Sequence, residues 1–539
     1  MQELLAECRA QDDALRGAGL EIWLGAEPTF TDRSSQDPHW LWMAEGGDKE
    51  ERAAALLGEL VGRLSAAFRR EQPEGRLYPG EEKPRFCMGA AYLPRGGGSE
   101  RRLTIAPDPG VIEVNLAPAP DLVTFAEHAG AVYAAAAAVG LSPERFRWNG
   151  NAGDSGGGGQ LTLGGPTPER SPFFVRPRLL PSLVRYLNHH PSLSYAFAPE
   201  CVGSAGQGPR PDEGVRERFD ELAVALDRLA MREASGPEDL WNALAPLLVD
   251  ASGNAHRAEV NVEKLWNPHL PGRGRMGVVE LRALRMPHAP ERLLALGALF
   301  RAVAARLARA PFEEPLLDWG PELHDRASLP VSLAGDLADV IRDLAEHGLA
   351  PGRRLQSWLA PEAPEVARVE LSGAVLTVRR APEFWPLLGD VASQEGSTAR
   401  LVDASSDRLE LLVNSPGTPP GSLSAQGVEV GLDAAGGPLH VGAVRYRAFA
   451  PRPGLHPGLG PHDPLVLEWE RRGEAVRIEL HGWKPGGGSY DGLPADGAEA
   501  ERRCRERVVI RPGRPRTPLR VPSARLTLDL RRLPAALPT

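Results

Sequence analysis

Cysteine is scarce. The 539 residues hold four, Cys8, Cys87, Cys201 and Cys504, and no two lie close enough for a Cys-x-x-Cys metal or redox unit. So sparse a set is no disulfide scaffold, and the expected compartment is reducing. Lysine is equally rare: Lys49, Lys83, Lys264 and Lys484 are the whole complement, so 58 of the 62 basic residues are arginine. That removes most candidates for Schiff-base or P-loop lysine chemistry. Aromatics make up 6% of the chain, too few for a base-stacking platform, and a net charge of −9 argues against a non-specific nucleic-acid binder. No run of about 18 apolar residues occurs, so no membrane span is expected. The N-terminal MQELLAECRAQDDALRGAG has no apolar core of a signal peptide, and the expected location is cytoplasmic.

What is present is an ordinary globular balance, 42% apolar and 25% charged, with 59 glycines and 52 prolines marking many turns. Helical spacing recurs at 50–70, 121–139, 213–233, 289–309 and 332–347. Strand-like pieces lie between: Glu21–Leu24, Leu103–Ile105, Val111–Leu116, Gln160–Leu163, Arg257–Val262 and Gly277–Leu284. After Pro361 the texture changes to segments of period two, such as ARVELSGAVLTVRR, RLELLVN and AVRIELHGW, interrupted by one helical piece, GAEAERRCRER. The expected domains are 1–361, mixing helix and strand, and 362–539, a β-rich sandwich or barrel.

Four acidic motifs stand out in the first region. They are LGAEPTFTD with Glu27, DPGVIEVNLAP with Glu113 and Asn115, GNAHRAEVNVEKL with Arg257, Glu259, Asn261 and Glu263, and GVVELRALRMP with Glu280 and Arg282. Residues two apart on a strand share a face. Glu113 with Asn115, Arg257 with Glu259 and Asn261, and Glu280 with Arg282 are therefore expected to project in groups, with Ile112, Val114, Val260, Val262, Val279 and Leu281 on the reverse. Clustered carboxylates need a neutralising cation, and oxygen ligands suit Mg²⁺ or Mn²⁺ working on phosphates. Arginine presents a planar fork to a transferring phosphoryl group. Together these residue types point to metal-assisted phosphoryl chemistry on a sheet.

Other features carry less. The glycine run 156–159 has neither a Gly-Lys-Ser/Thr ending nor a following helix, and reads as a flexible loop that lets backbone approach a phosphate, with Gln160 heading the next strand. His189 and His190 fall at a helix end, where capping is expected, and His256 and His324 are expected in structural roles. There is no His-Glu-x-x-His, no Gly-x-Ser-x-Gly, and no cysteine in a nucleophile motif, which leaves transglutaminase-type acyl transfer without support.

The motifs GAEPTFTDR, YPGEEKPRF, DPGVIEVNLAPA, SPFFVRPRLLPSLVRYLNHHPSLSY, DASGNAHRAEVNVEKL, GVVELRALRMP and WGPELHDR occur in order, followed by RLVDASSDRLELLV, HVGAVRYRAFAPRPGLHP and PGGGSYDGLPADGAEAERR. In this the chain resembles, over nearly its full length, a bacterial domain of unknown function usually found behind a transglutaminase-like domain, here absent. That family is similar to the glutamine synthetase and glutamate–cysteine ligase superfamily and is regarded as an amidoligase. The resemblance implies an α/β (α+β) fold with a curved, mainly antiparallel sheet backed by helices. It implies metal binding by Glu27, Glu113, Glu259 and Glu280, and nucleotide or substrate contacts from Asn115, Gln160, Arg257 and Arg282. Gln160 stands where the superfamily has a histidine, and glutamine cannot act as an acid or base.

The implied activity is that of an ATP-dependent carboxylate–amine ligase. ATP with Mg²⁺ or Mn²⁺ would form an acyl phosphate, Arg257 and Arg282 would stabilise the transferred group, and an amine of a small molecule or peptide would then attack. The alternative is a degenerate binding or scaffold protein of a peptide-modification system, whose partner supplies the missing transglutaminase-like function.

Overall fold

The computed structural model describes residues 2–17, 19–33, 48–67, 76–77, 86–87, 104–108, 111–116, 118–232, 236–269, 274–390, 400–450 and 459–532. The stretch 78–85 of the YPGEEKPRF motif, residues 68–70 of the first periodic segment and Leu103 lie outside them.

A seven-stranded antiparallel sheet organises the first region. Its principal strands are β1 (Trp23–Asp32), β2 (Thr104–Asp108), β3 (Val111–Asn115), β4 (Gly159–Gly164), β5 (Val260–Asn261) and β6 (Val279–Leu281), in the spatial order β5-β6-β4-β1-β3-β2. The short strand Leu141–Ser142 pairs with the end of β1. Alternation dictates how the sheet sits. Leu24, Ala26, Ile112, Val114, Leu161, Leu163, Val260, Val279 and Leu281 are all buried on one face, in a cluster that also takes in the covering helices.

Those helices are α1 (Gln2–Gly17), α2 (Leu122–Ala138) and α4 (Pro290–Arg309). A fourth, the single turn α3 (Glu263–Trp266), follows β5 directly. Asp121 caps α2, its carboxylate accepting from Thr124 N–H at 2.7 Å. Helix α4 is buried along most of its length. Gly297 lets it press on the sheet, because a Cβ there would lie 2.5 Å from Leu24 Cδ2. Buried Arg301 of α4 donates to Asp12 of α1, to Ile22 O at 2.7 Å and to Pro120 O at 2.9 Å. The helices expected at 50–70, 121–139, 213–233, 289–309 and 332–347 are found at Asp48–Ala67, Leu122–Ala138, Arg216–Ala230, Pro290–Arg309 and Pro330–Glu346.

The period-two segments after Pro361 form two antiparallel sheets. One joins Glu365–Leu371, Ala374–Arg380, Ser406–Asn414 and Leu439–Arg447, with Thr527–Asp529 added parallel to the last. The other joins Val428–Glu429, Ser422–Ala425, Leu465–Arg471, Glu474–Leu480 and Val508–Pro512. Leu376, Val378 and Leu411 of the first share a core with Leu467, Trp469 and Ile478 of the second, which makes a sandwich. The helical piece is Gly497–Glu506.

Two large apolar clusters run from Leu4 to Leu359 and from Ala367 to Leu530, and a small third one packs Leu329 with Ala381, Val441, Ala443 and Leu526 between them. Polar groups and one ladder sew them together. Cys201–Gly203 pairs parallel with Glu383–Trp385. The Asp325 carboxylate accepts from the N–H groups of Leu526 (3.0 Å) and Thr527 (2.7 Å). Buried Arg408 donates to Asp325 O, to Ser328 Oγ at 2.8 Å and to Thr527 Oγ1 at 3.1 Å. Among the described residues no helix is long and apolar enough to cross a membrane.

Candidate functional site

The face of the sheet opposite the apolar cluster carries the polar residues. Register fixes their neighbours: Glu27 on β1 stands opposite Gln160 on β4, Thr29 opposite Glu113 on β3, and Thr162 on β4 opposite Glu280 on β6. Asn115 and Arg282 follow two residues after Glu113 and Glu280 and share their side of the sheet. Four adjacent strands thus bring Glu27, Glu113, Asn115, Gln160, Glu280 and Arg282 to one face; alternation implied the pairs Glu113 with Asn115 and Glu280 with Arg282, and the register joins them.

Lys264, on α3, is the residue that the motif analysis passed over. Its ammonium donates to Glu27 Oε1 and lies 3.0 Å from Glu280 Oε2. The other oxygen of Glu280 accepts from Arg282 Nη1. Two cations therefore bracket a carboxylate pair that is almost wholly removed from water. The placement of Lys264 is built locally. Asn261 Oδ1 accepts from Glu263 N–H at 2.9 Å and starts the turn of α3. Lys264 O then accepts from Met276 N–H at 2.9 Å, tying the turn to the approach to β6.

The electrostatics follow from this packing. Burial, together with the neighbouring Glu280, pushes Glu27 above the ordinary carboxylate range, against the pull of Lys264. Glu280 goes the other way: burial opposes its charge, but Lys264 and Arg282 outweigh burial and hold it ionised. Burial likewise opposes the charge on Lys264, and Glu27 and Glu280 more than restore it. Glu113 adds to the negative potential at both Lys264 and Arg282, while Asn115 Nδ2 donates to Glu113 Oε1 at 2.7 Å.

Two residues expected on this face are held elsewhere. The extended reading of Arg257–Val262 is corrected: the strand is only Val260–Asn261, and Ala255–Arg257 is a 3₁₀ turn. Asn254 Oδ1 accepts from His256 N–H at 2.9 Å, and this local bond turns the backbone out of the strand. The Arg257 guanidinium wraps the carbonyls of Ser204 (3.3 Å), Ala205 (3.4 Å) and Gly206. Glu259 extends the ladder, Arg282 N–H donating to its carbonyl at 2.9 Å. Its carboxylate accepts from Ser194 Oγ, and its charged neighbours are Arg210, Asp212 and Glu213 rather than Glu27 and Glu280.

The metal set is corrected accordingly. Glu259 lies apart from Glu27, Glu113 and Glu280, and Lys264 sits between Glu27 and Glu280, so the four acids do not form one ligand set. Among the described residues no group of three or more His, Cys, Asp or Glu is arranged to hold one.

The glycine loop is a packed element rather than a slack one. Thr29 Oγ1 donates to Gly158 O at 2.6 Å, and Gln160 Nε2 donates to Gly157 O at 2.9 Å. Gly158 takes a left-handed φ of +81°, and a Cβ on Gly157 would lie 2.8 Å from the Thr29 side chain. Three buried polar atoms on the face, Gln160 Oε1, Arg282 Nε and Glu280 Oε2, have no hydrogen-bond partner among the described residues, and of these only Glu280 Oε2 has an ion-pair partner, Lys264.

Two of the histidines pair with carboxylates: His190 bonds Asp336 at 2.8 Å at the end of helix Leu179–His189, and His324 bonds Glu213 at 2.9 Å. Burial pushes the Cys8 thiol up to about 12 and raises Cys201 as well, the reverse of an activated nucleophile.

Among solved structures, the chain is similar to a "novel glutamine synthase homolog" at 18% identity, covering 66% of this chain and 68% of that one with a TM-score of 0.31. It is similar also to GmaS in an ADP complex at 15% identity, covering 66% and 71% with a TM-score of 0.28. Neither likeness is near enough to inform the site. No curated protein matches the sequence. A family model does, over residues 1–96 and 90–531, and on that nearly complete match the chain belongs to the family described as "Putative amidoligase enzyme (DUF2126)".

Proposed function

We propose that this protein is an ATP-dependent carboxylate–amine ligase and that the polar face of the first sheet is where its substrates meet. The observation that carries the reading, beside the family, is the pair of buried atoms without partners. Gln160 Oε1 is an acceptor and Arg282 Nε a donor, on the face where half-buried Lys264 and buried Arg282 hold the Glu280 carboxylate. A buried polar atom left unbonded costs about 1–3 kcal/mol, and a ligand that satisfies it recovers that loss.

In the reaction, a carboxylate oxygen of the acid attacks the γ-phosphorus of ATP and ADP departs, leaving an acyl phosphate. The amine then attacks the acyl carbon, inorganic phosphate leaves, and the amine nitrogen gives up a proton. Charge builds on the transferred phosphoryl group and again on the departing phosphate. Arg282 and Lys264 are the groups on this face able to meet it, by fixed donors in a site of low water content. Gln160 offers hydrogen bonds but no proton, so the proton of the amine must leave by another group or by solvent.

The test is isotopic. With a carboxylate labelled with oxygen-18, one label must appear in inorganic phosphate for each amide made. Activity with Arg282→Gln is expected to fall by at least about 100-fold, the loss typical of one oriented charge at a transition state. If the purified chain, given magnesium–ATP and panels of acids and amines, forms no ADP and binds no nucleotide, the reading fails.

A second reading draws on the same residues. Lys264 neutralises the carboxylates and Gln160 replaces an ionisable side chain, which suits a protein that binds and does not turn over. A stable partner carrying transglutaminase-like chemistry, recovered together with an absence of ATP turnover, would favour it.

A further inference from the structure

Carboxylates facing each other in a buried site need a positive charge between them. On this sheet that charge is part of the chain. Lys264 reaches from α3 across to β1 and β6 and touches Glu27 and Glu280 together, and Arg282 takes the remaining oxygen of Glu280. Three of the four oxygens of the pair thus already have a cationic partner. Glu113, the third acid on the face, has one oxygen accepting from Asn115.

We propose that Lys264 is a tethered cation that takes the place of a divalent metal ion between Glu27 and Glu280, so that this pair of acids takes up no free Mg²⁺ or Mn²⁺. The proposal does not depend on the ligase reading; it concerns what the face binds, whether or not it catalyses.

Three observations support it. The ammonium is placed by local bonds, Asn261 to Glu263 N–H and Lys264 O to Met276 N–H, so it is not a drifting surface side chain. A metal ion seated between the two acids would have to expel an ammonium bonded to both and leave it beside Arg282, a like charge. And among the described residues the acids do not converge in a group of three or more, so the face offers no all-protein cage for a bare ion.

The chain holds only four lysines, which makes the test direct. Protein labelled with carbon-13 at lysine Cε gives four side-chain signals, and Lys264→Arg identifies the one that matters. Manganese alone is titrated, without nucleotide. The expected result is that the Lys264 signal survives millimolar Mn²⁺ in the intact chain, because a bound paramagnetic ion within a few ångströms would erase it. Lys264→Met removes the internal charge and is expected to bind Mn²⁺ at least 10-fold more tightly than the intact chain, by electron paramagnetic resonance. Adding Glu27→Gln to that variant is expected to abolish the gain. Erasure of the Lys264 signal at micromolar Mn²⁺ overturns the proposal, and so does a folded Lys264→Met with no gain in metal affinity. Should Lys264→Met fail to fold without metal, the labelled intact chain still decides the matter.

Discussion

At the scale of single residues, Glu259 is the most consequential side chain outside the polar face. It is buried beside Ser194 and Arg210, and desolvation raises its carboxyl from the ordinary 4.5 to about 7, Arg210 opposing and Asp212 and Glu213 reinforcing. The folded protein therefore holds a proton there that the unfolded chain releases. Stability from this group is present below about pH 4.5 and is lost as the pH rises toward 7, by at most about 1.4 kcal/mol per pH unit. Glu259→Gln fixes the neutral form. Its melting temperature relative to the parent chain is expected to rise from pH 5 to about pH 7 and to level off above that, and a difference that stays flat from pH 5 to pH 8 would remove the raised carboxyl from the account. Lys264 belongs to the same scale. It sat in full view in the Val-Glu-Lys-Leu motif, and its rarity among 58 arginines was the available signal. Its partners lie 237 and 16 residues away, which spacing along the chain does not reveal.

At the scale of elements, alternation was readable where a strand is long enough to show it. Val111–Asn115 and Val279–Leu281 each put their apolar residues on one side and the acid on the other, as period two requires. Reading failed where side chains compete with the ladder. Around 254–261 two asparagines bond their own backbone and leave a two-residue strand. It also failed at β1, which continues through Pro28 for ten residues rather than ending before Glu27. There the pairing of β1 with β4 keeps the chain extended despite a residue that donates no hydrogen bond. The ladder makes the reverse side the place to test stability. Leu161 is fully buried at the centre of the sheet, between Ala26 on β1 and Leu281 on β6. Leu161→Ala is expected to cost about 2–5 kcal/mol, read as a lower urea midpoint with an unchanged slope. A loss under about 1 kcal/mol would show that the strand register differs from the one described.

At the scale of the whole molecule, the sandwich is joined to the first region by a small apolar cluster and by polar groups that find their partners across the seam. Removing the carboxylate with Asp325→Ala strands the N–H groups of Leu526 and Thr527, at about 1–3 kcal/mol each. Calorimetry of the full chain is expected to give one transition, and Asp325→Ala is expected to lower it as a unit. Two transitions that move independently would mean that the seam carries little. The α/β character and the β-rich end could be read from periodicity. The seam could not, because Asp325, Arg408 and Thr527 are far apart in the chain and carry no shared pattern. The short parallel ladder between 201–203 and 383–385 adds a consequence in time. A ribosome releases the chain from its N-terminus, so the strand at Cys201 emerges some 180 residues before its mate. Through that interval its backbone edge is bare, and a bare edge pairs with whatever strand comes near. The newborn chain, rather than the finished molecule, is where this fold is most open to mispairing.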